Sequence, residues 1–494
     1  MTNNPIAWAQ FQLRGGLRAS LTFCAIYATA VTGFYVFSHR ADPFNFGRAN
    51  GWLNLLLGIQ SLSLLLFGTS RIGAGIRADV ISRMIESHRL MPTPPAHAIA
   101  GYMVGGAGQA LILFLTTFFI GGVISATAGL ATDRWILSNA ILLVFAAFVW
   151  SIVALMSFAT TKNIMGLGWI VGMFVAVSAS QGLITVFVPA LTVLCSPIMG
   201  GSIFISTGGA AVPSFAYGAS LIGQLSIGAL YFFAAARRYC SADSSGFTPL
   251  SSVALLAVWV ALSVFAMQYW KNVQPGMFRA MRMDETERLS FQTIFATASA
   301  LLLALLPLAV SSRAYRRWQL HRAANDPALT RTPLHPLLAA TLAAGLCVLI
   351  PALAQRFPLE TQGADYLLKR VSPATAAMLM VTAMSLAFTF SCSFLFRVGH
   401  RGGGKRSVVV VGLFVVLTWL GPLGVEVVRN VLADDHREFI WTRVAGASPL
   451  GAMILTWGQG KADAAPGVIL QLALAIFFVM LFYLTRPRKR VPPI

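Results

Sequence analysis

With 494 residues, 57% hydrophobic side chains, 11% charged ones and a mean hydropathy of +0.73, the chain carries more apolar surface than a soluble core can hold, which excludes an ordinary water-soluble enzyme or binding module. Its formal charge of +20 suits a nucleic-acid partner only if the bases gather on one surface, and here they sit in short clusters between apolar runs. Five cysteines, Cys24, Cys195, Cys240, Cys347 and Cys392, show neither pairing nor metal-ligand spacing.

A hydrocarbon core of about 30 Å takes roughly 20 apolar residues per helical span. By that measure the sequence predicts an all-α integral membrane protein of about twelve transmembrane helices. They cover residues 21–37, 53–68, 99–124, 136–159, 164–194, 214–236, 250–270, 291–310, 337–353, 374–396, 408–428 and 468–484. The first run is too long for a signal peptide and lacks a small-residue cleavage pattern, so it reads as an anchor. With both termini in the cytoplasm, 22 of the 36 Lys and Arg fall on the cytoplasmic face against four acids, Asp79, Glu86, Asp243 and Asp326. That asymmetry is the positive-inside pattern, so the basicity is topological and implies no nucleic acid. The expected location is the cell (inner) membrane, crossed many times.

In chain order, a Trp8/Phe11 face beside Arg14 and Arg18 predicts an interfacial helix before the first span. Residues 71–97, RIGAGIRADVISRMIESHRLMPTPPAH, are the longest polar interruption of the first half. They predict an amphipathic surface helix that starts after Gly75 and stops at Met91-Pro92, because proline disfavours helix in the residue before it. On a helical wheel Ile76, Val80, Ile81, Met84 and Ile85 share one half, and Asp79, Ser82, Arg83, Glu86 and Arg89 the other; Arg77 is the misfit. Asp79 and Arg83 stand at i,i+4, a spacing worth a few tenths of a kcal/mol. A helix of this kind needs a partner. In the third span Gly101, Gly105, Gly106 and Gly108 predict close helix approach.

Spans four and five are joined by a short hairpin at residues 160–163. The uncharged connection between spans five and six, containing Ser196 and Pro197, predicts an external re-entrant turn shielded by protein. Span six ends at Arg237-Arg238. The layout then starts again. A basic loop at 311–335 takes the place of 71–97, Thr332-Pro333 parallels Thr93-Pro94, Ser448 and Pro449 repeat the external turn, and a basic terminus at 486–490 repeats Arg237-Arg238. These matches predict a six-plus-six parallel repeat, N-in and C-in, with modules 1–240 and a more divergent 241–494.

Chemistry is sparse. Residues 399–407, GHRGGGKRS, satisfy a phosphate-loop spacing but put Arg406 where the magnesium-binding hydroxyl belongs, and lie between spans rather than between a strand and a helix. No catalytic residue and no metal site is expected. Glu426 is the one acid near a span interior and is read as reaching the outer interface. Polar residues inside spans, among them Gln109, Ser178, Gln181, Thr389 and Ser391, line a path or bond neighbouring backbone.

Asp79 through Glu86, followed by Leu90-Met91-Pro92-Thr93-Pro94-Pro95 and then Ile99 and Gly101, resembles the type-2 ABC transporter permease family, the membrane subunits of exporters. The resemblance is clearest over 1–239, and the loop at 311–335 departs from it by lacking the acidic helix. It implies a membrane subunit that couples ATP hydrolysis on a separate ATP-binding subunit, in two copies per complex, to outward movement of an unknown substrate. Asp79, Arg83, Glu86, Arg89 and Pro92 would form the contact with that subunit. ATP and magnesium would bind the partner, this chain would hold no cofactor, and it would sit in the lipid bilayer with no nucleic acid bound. An ion-coupled secondary transporter and a membrane-bound enzyme acting on lipid-linked substrates are the alternatives.

Overall fold

The computed structural model describes residues 4–40, 46–130, 132–159, 214–240 and 421–432, with isolated positions between 246 and 262 and between 444 and 480. Among them the regular structure is all helical. Five helices are long and apolar enough to cross a membrane, Gly16–Phe37, Gly51–Ile81, Gly108–Thr127, Thr132–Phe158 and Gly218–Cys240, and the chain is a membrane protein. The predicted spans at 164–194, 291–310, 337–353 and 374–396 lie outside the described residues. The described residues form two compact units, one running to Gly246 and one from Phe247 onward.

The first unit opens with α1 (Pro5–Gln12), whose Asn4 side chain caps the Ala7 N–H at 3.1 Å. A helix is present where the sequence predicts one, but its faces differ from the sequence reading. Phe11 is buried with Ile6, Ala7 and Gln10, while Trp8 is exposed. Gly15 and Gly16 then adopt positive φ, 95° and 60°, a turn that a side chain would strain, and α2 (Gly16–Arg40) begins. Its apolar surface is largely uncovered by the rest of the unit, with Phe23, Ile26, Phe34 and Phe37 exposed, as suits a helix facing lipid.

The second predicted span and the surface helix are one continuous element. Helix α3 (Phe46–Leu62) passes through a π turn at Ser63–Gly68 into α4 (Thr69–Ile81) without a break. The expected start after Gly75 fails because the glycines here serve close packing instead of ending the helix. A Cβ on Gly68 would lie 3.1 Å from Trp150, and one on Gly73 would lie 3.3 Å from Val153 and Ser157. Trp150 also donates to the Leu64 carbonyl at 3.0 Å, which supplies a donor within the irregular π turn.

The third predicted span is divided as well. Helix α6 (Pro95–Gly106) is separated by Ala107 from α7 (Gly108–Thr127), so the helix able to cross a membrane starts at Gly108. The predicted close approach at the glycines is real, against α1 and its cap at Gly101, Gly105 and Gly108 and against Ile72 of α4 at Gly106. A Cβ on Gly105 would collide with the Ala7 backbone, one on Gly101 would lie 2.5 Å from Asn4, and one on Gly108 2.5 Å from Phe11. Helix α8 (Thr132–Ala159) carries Asp133 in its first turn, favourable against the helix dipole. It packs along α9 (Ser214–Cys240), which carries Arg237 and Arg238 in its last turn and runs two residues beyond the end read from the sequence.

In the second unit α10 (Gly421–Leu432) holds Glu426 buried, with Arg429 one turn on at 3.6 Å. The carboxylate read from the sequence as reaching the outer interface is covered by protein here, beside a half-exposed basic partner on the same helix face. Ser448 is buried just beyond a turn closed by the Ala447 N–H on the Val444 carbonyl at 3.1 Å. Ser196, Pro197, Pro449, Ser178, Gln181, Thr389 and Ser391, and the segments 311–335 and 399–407, lie outside the described residues.

Candidate functional site

The segment 71–97 becomes a two-part device. Helix α4 ends at Ile81, Ser82 continues in helical geometry, and Arg83 adopts φ 60°, ψ 11°. Arg83 is the one non-glycine positive φ among the described residues, at a cost of about 1–2 kcal/mol. The chain then re-enters helix as α5 (Met84–Leu90), which stops where Met91 turns extended ahead of Pro92. The stop at Pro92 thus stands as read from the sequence. Pro94 and Pro95 start α6 in turn.

The single apolar face expected from the wheel is not formed: the left-handed residue re-aims the side chains after it, and ahead of it α4 already turns Asp79 inward and Ile81 outward. Ile76 and Ile85 are buried, but Ile81 is 65% exposed, Met84 54% and Leu90 88%. Asp79, expected on the solvent side, is 7% exposed. A buried carboxylate must be matched by donors. Its Oδ2 accepts from the Tyr102 hydroxyl of α6 at 2.6 Å and from Gln10 Nε2 of α1 at 3.3 Å. His88 of α5 approaches on the far side, with Nδ1 3.0 Å from the Tyr102 oxygen and 3.8 Å from Asp79 Oδ2. With the phenol proton given to the carboxylate, the phenol oxygen is free to accept from His88 Nδ1 in the form that carries a hydrogen there. Burial first, and then the hydrogen bond to Asp79 and its charge, hold the Tyr102 phenol well above its ordinary pKa. Asp79 therefore joins α1, α4, α5 and α6 in one buried polar cluster. The Asp79/Arg83 pairing anticipated from the spacing is displaced by the kink.

Glu86 and Arg89 stay on α5 and pair at 2.7 Å. Glu86 is 63% exposed, whereas Arg89 turns inward. Arg89 Nε donates to the Tyr239 carbonyl and Nη2 to the Arg238 carbonyl at 3.4 Å, both at the end of α9. Arg77, the misfit of the wheel, is buried and donates from Nε to the Gly73 carbonyl at 3.0 Å.

A second polar junction lies at the α1–α2 turn. Arg14 Nη1 donates at 3.2 Å to the Gly106 carbonyl at the α6–α7 break, and Nη2 to the Arg71 carbonyl of α4. Burial and the neighbouring Arg71 lower the Arg14 pKa to about 10. Gln109, a candidate path-lining residue, donates to the Arg14 carbonyl. Its observed bond is with neighbouring backbone, the second of the two roles the sequence left open.

Reading the sequence alone missed Gln10, His88, Tyr102 and Arg14. The long-range pairs that define their roles, such as Asn4 to the His97 carbonyl at 2.7 Å, leave no periodic signal. Among the described residues no group of His, Cys, Asp and Glu could hold a metal ion. No protein-family model, no curated protein and no solved structure matches this chain.

Proposed function

We propose that the chain is the membrane subunit of an ATP-binding-cassette exporter, with the α4–α5 kink as the docking point for a separate ATP-binding subunit. One observation carries this reading. Met84 and Leu90 are exposed on the short helix α5, next to exposed Ile81 at the end of α4, and α5 is itself tied through His88 and Arg89 to α6 and α9. A lipid-facing loop would need the exposed apolar groups but not the internal ties, whereas a helix that receives a push from a partner needs both. Exposed Arg83 and Glu86 give the rim charge that sets register in such contacts. Asp79 supports the contact from inside by holding the kink, and Arg89 acts through α9.

On this reading the second module supplies the other half of a twelve-helix, six-plus-six unit in the inner membrane. ATP and magnesium bind the partner, and the docking surface lies in the cytoplasm. Paired substitution Met84→Glu with Leu90→Glu, both on exposed side chains, abolishes co-purification of the ATP-binding subunit while leaving thermal stability unchanged. Retention of the partner in that variant contradicts the assignment.

A second reading, a proton-coupled secondary transporter, is favoured by the same buried cluster. Asp79, Tyr102 and His88 form a chain of proton-bearing groups at the end of a long apolar helix. Transport that ignores ATP depletion but stops with an uncoupler selects this second reading.

A further inference from the structure

We propose that Arg89 is a positioning residue that makes α5 and α9 move as one body, so that a displacement of the surface helix is delivered to the inner end of α9. The last carbonyls of a helix have no intrahelical donor and carry the negative end of its dipole. Helix α9 ends at Cys240, and the Arg89 guanidinium takes the carbonyls of both Arg238 and Tyr239. Each of these bonds is charge-assisted. The remaining terminal nitrogen is held by Glu86 Oε1 at 2.7 Å, one turn back on α5, which fixes the plane of the fork.

The tie leads into the bundle. Tyr239 packs edge-on against Phe158 of α8 with ring centroids 6.3 Å apart, and α8 and α9 pack along their lengths. On the other side His88 joins α5 to α6 through Tyr102, a weaker bond between side chains that are neutral when His88 is unprotonated. Of the two side-chain connections, the one to α9 is charge-assisted and doubled. The consequence for transport rests on the permease reading, while the tie itself does not.

The test uses the full chain in lipid nanodiscs, with Cys240 retained, the other four cysteines replaced by alanine and a second cysteine added for spin labelling. Cys240 is exposed at the end of α9, Met84→Cys samples α5, His97→Cys samples α6, and Leu62→Cys samples exposed α3 as a reference. Arg89→Gln broadens the 84–240 distance distribution about twofold, leaves 62–240 as in the parent, and Arg89→Lys restores part of the narrow distribution. Tyr102→Phe broadens 84–97 while 84–240 stays narrow. An 84–240 distribution unchanged by Arg89→Gln overturns the proposal, as does equal broadening of 62–240, which marks general loosening of α9. None of these distances depends on a partner, so a chain that recruits no ATP-binding subunit defeats the permease reading and leaves this measurement standing.

Discussion

Asp79 and Tyr102, twenty-three positions apart, meet at 2.6 Å inside the protein, the phenol donating to the carboxylate. Their contact joins the end of α4 to the middle of α6 and fixes the direction in which the chain turns at Arg83. Tyr102→Phe leaves a buried carboxylate one donor short at nearly constant volume. It lowers stability by about 1–3 kcal/mol, read as a fall in the thermal unfolding midpoint of the protein in detergent.

The same pair sets an alkaline limit. The phenol is neutral in the folded protein and its pKa is raised above the ordinary 10.0 by burial and by Asp79. Both states are neutral below that value, so the full contribution is present there. As pH rises through it, the unfolded phenol ionises first and stability falls by about 1.4 kcal/mol per pH unit for this group. The wild-type chain loses stability between pH 10 and 11 more steeply than Tyr102→Phe, measured by denaturation at stepped pH.

How far the sequence could be read is clearest in the stretch from Ser63 to Gly108. The apolar runs and the proline stop at Pro92 were legible because they depend on local composition and backbone sterics. The unbroken helix through Gly68 and Gly75 was not, since whether a glycine ends a helix or admits Trp150 depends on a residue some eighty positions away. The site was legible as a segment but not as a constellation. A wheel assumes one unbroken helix, and the positive φ of Arg83 rotates the second half relative to the first. Met84, after the kink, was therefore placed inward and is found exposed, while Asp79, ahead of it, was placed outward by the wheel and is found held inside by Tyr102 and Gln10.

At Gly105 the backbone of α1 passes so close that any Cβ meets Ala7 main-chain atoms, which cannot step aside as a flexible side chain would. Gly105→Ala costs about 1–3 kcal/mol and detaches α1, seen as faster proteolysis before Gly16. Gly33→Ala is the control. Nothing lies within 4 Å of a Cβ there, and the substitution is neutral or stabilising by about 0.5–1 kcal/mol.

Trp150 is held by its indole N–H to the Leu64 carbonyl at 3.0 Å. Trp150→Phe removes the donor from a buried carbonyl at the π turn, for a loss of about 1–3 kcal/mol. Amide exchange measured by mass spectrometry rises between 63 and 69 more than in α7.

The proposed function places a separate ATP-binding subunit at the α4–α5 kink of this membrane protein. Affinity purification of the full chain from its native membrane in mild detergent, followed by assay of ATP hydrolysis and identification of bound proteins, tests it most directly. The account predicts a co-eluting ATP-binding subunit with ATPase activity, both lost on Met84→Glu with Leu90→Glu. A chain that purifies without any ATP-binding protein, yet still moves its substrate in reconstituted vesicles, contradicts it.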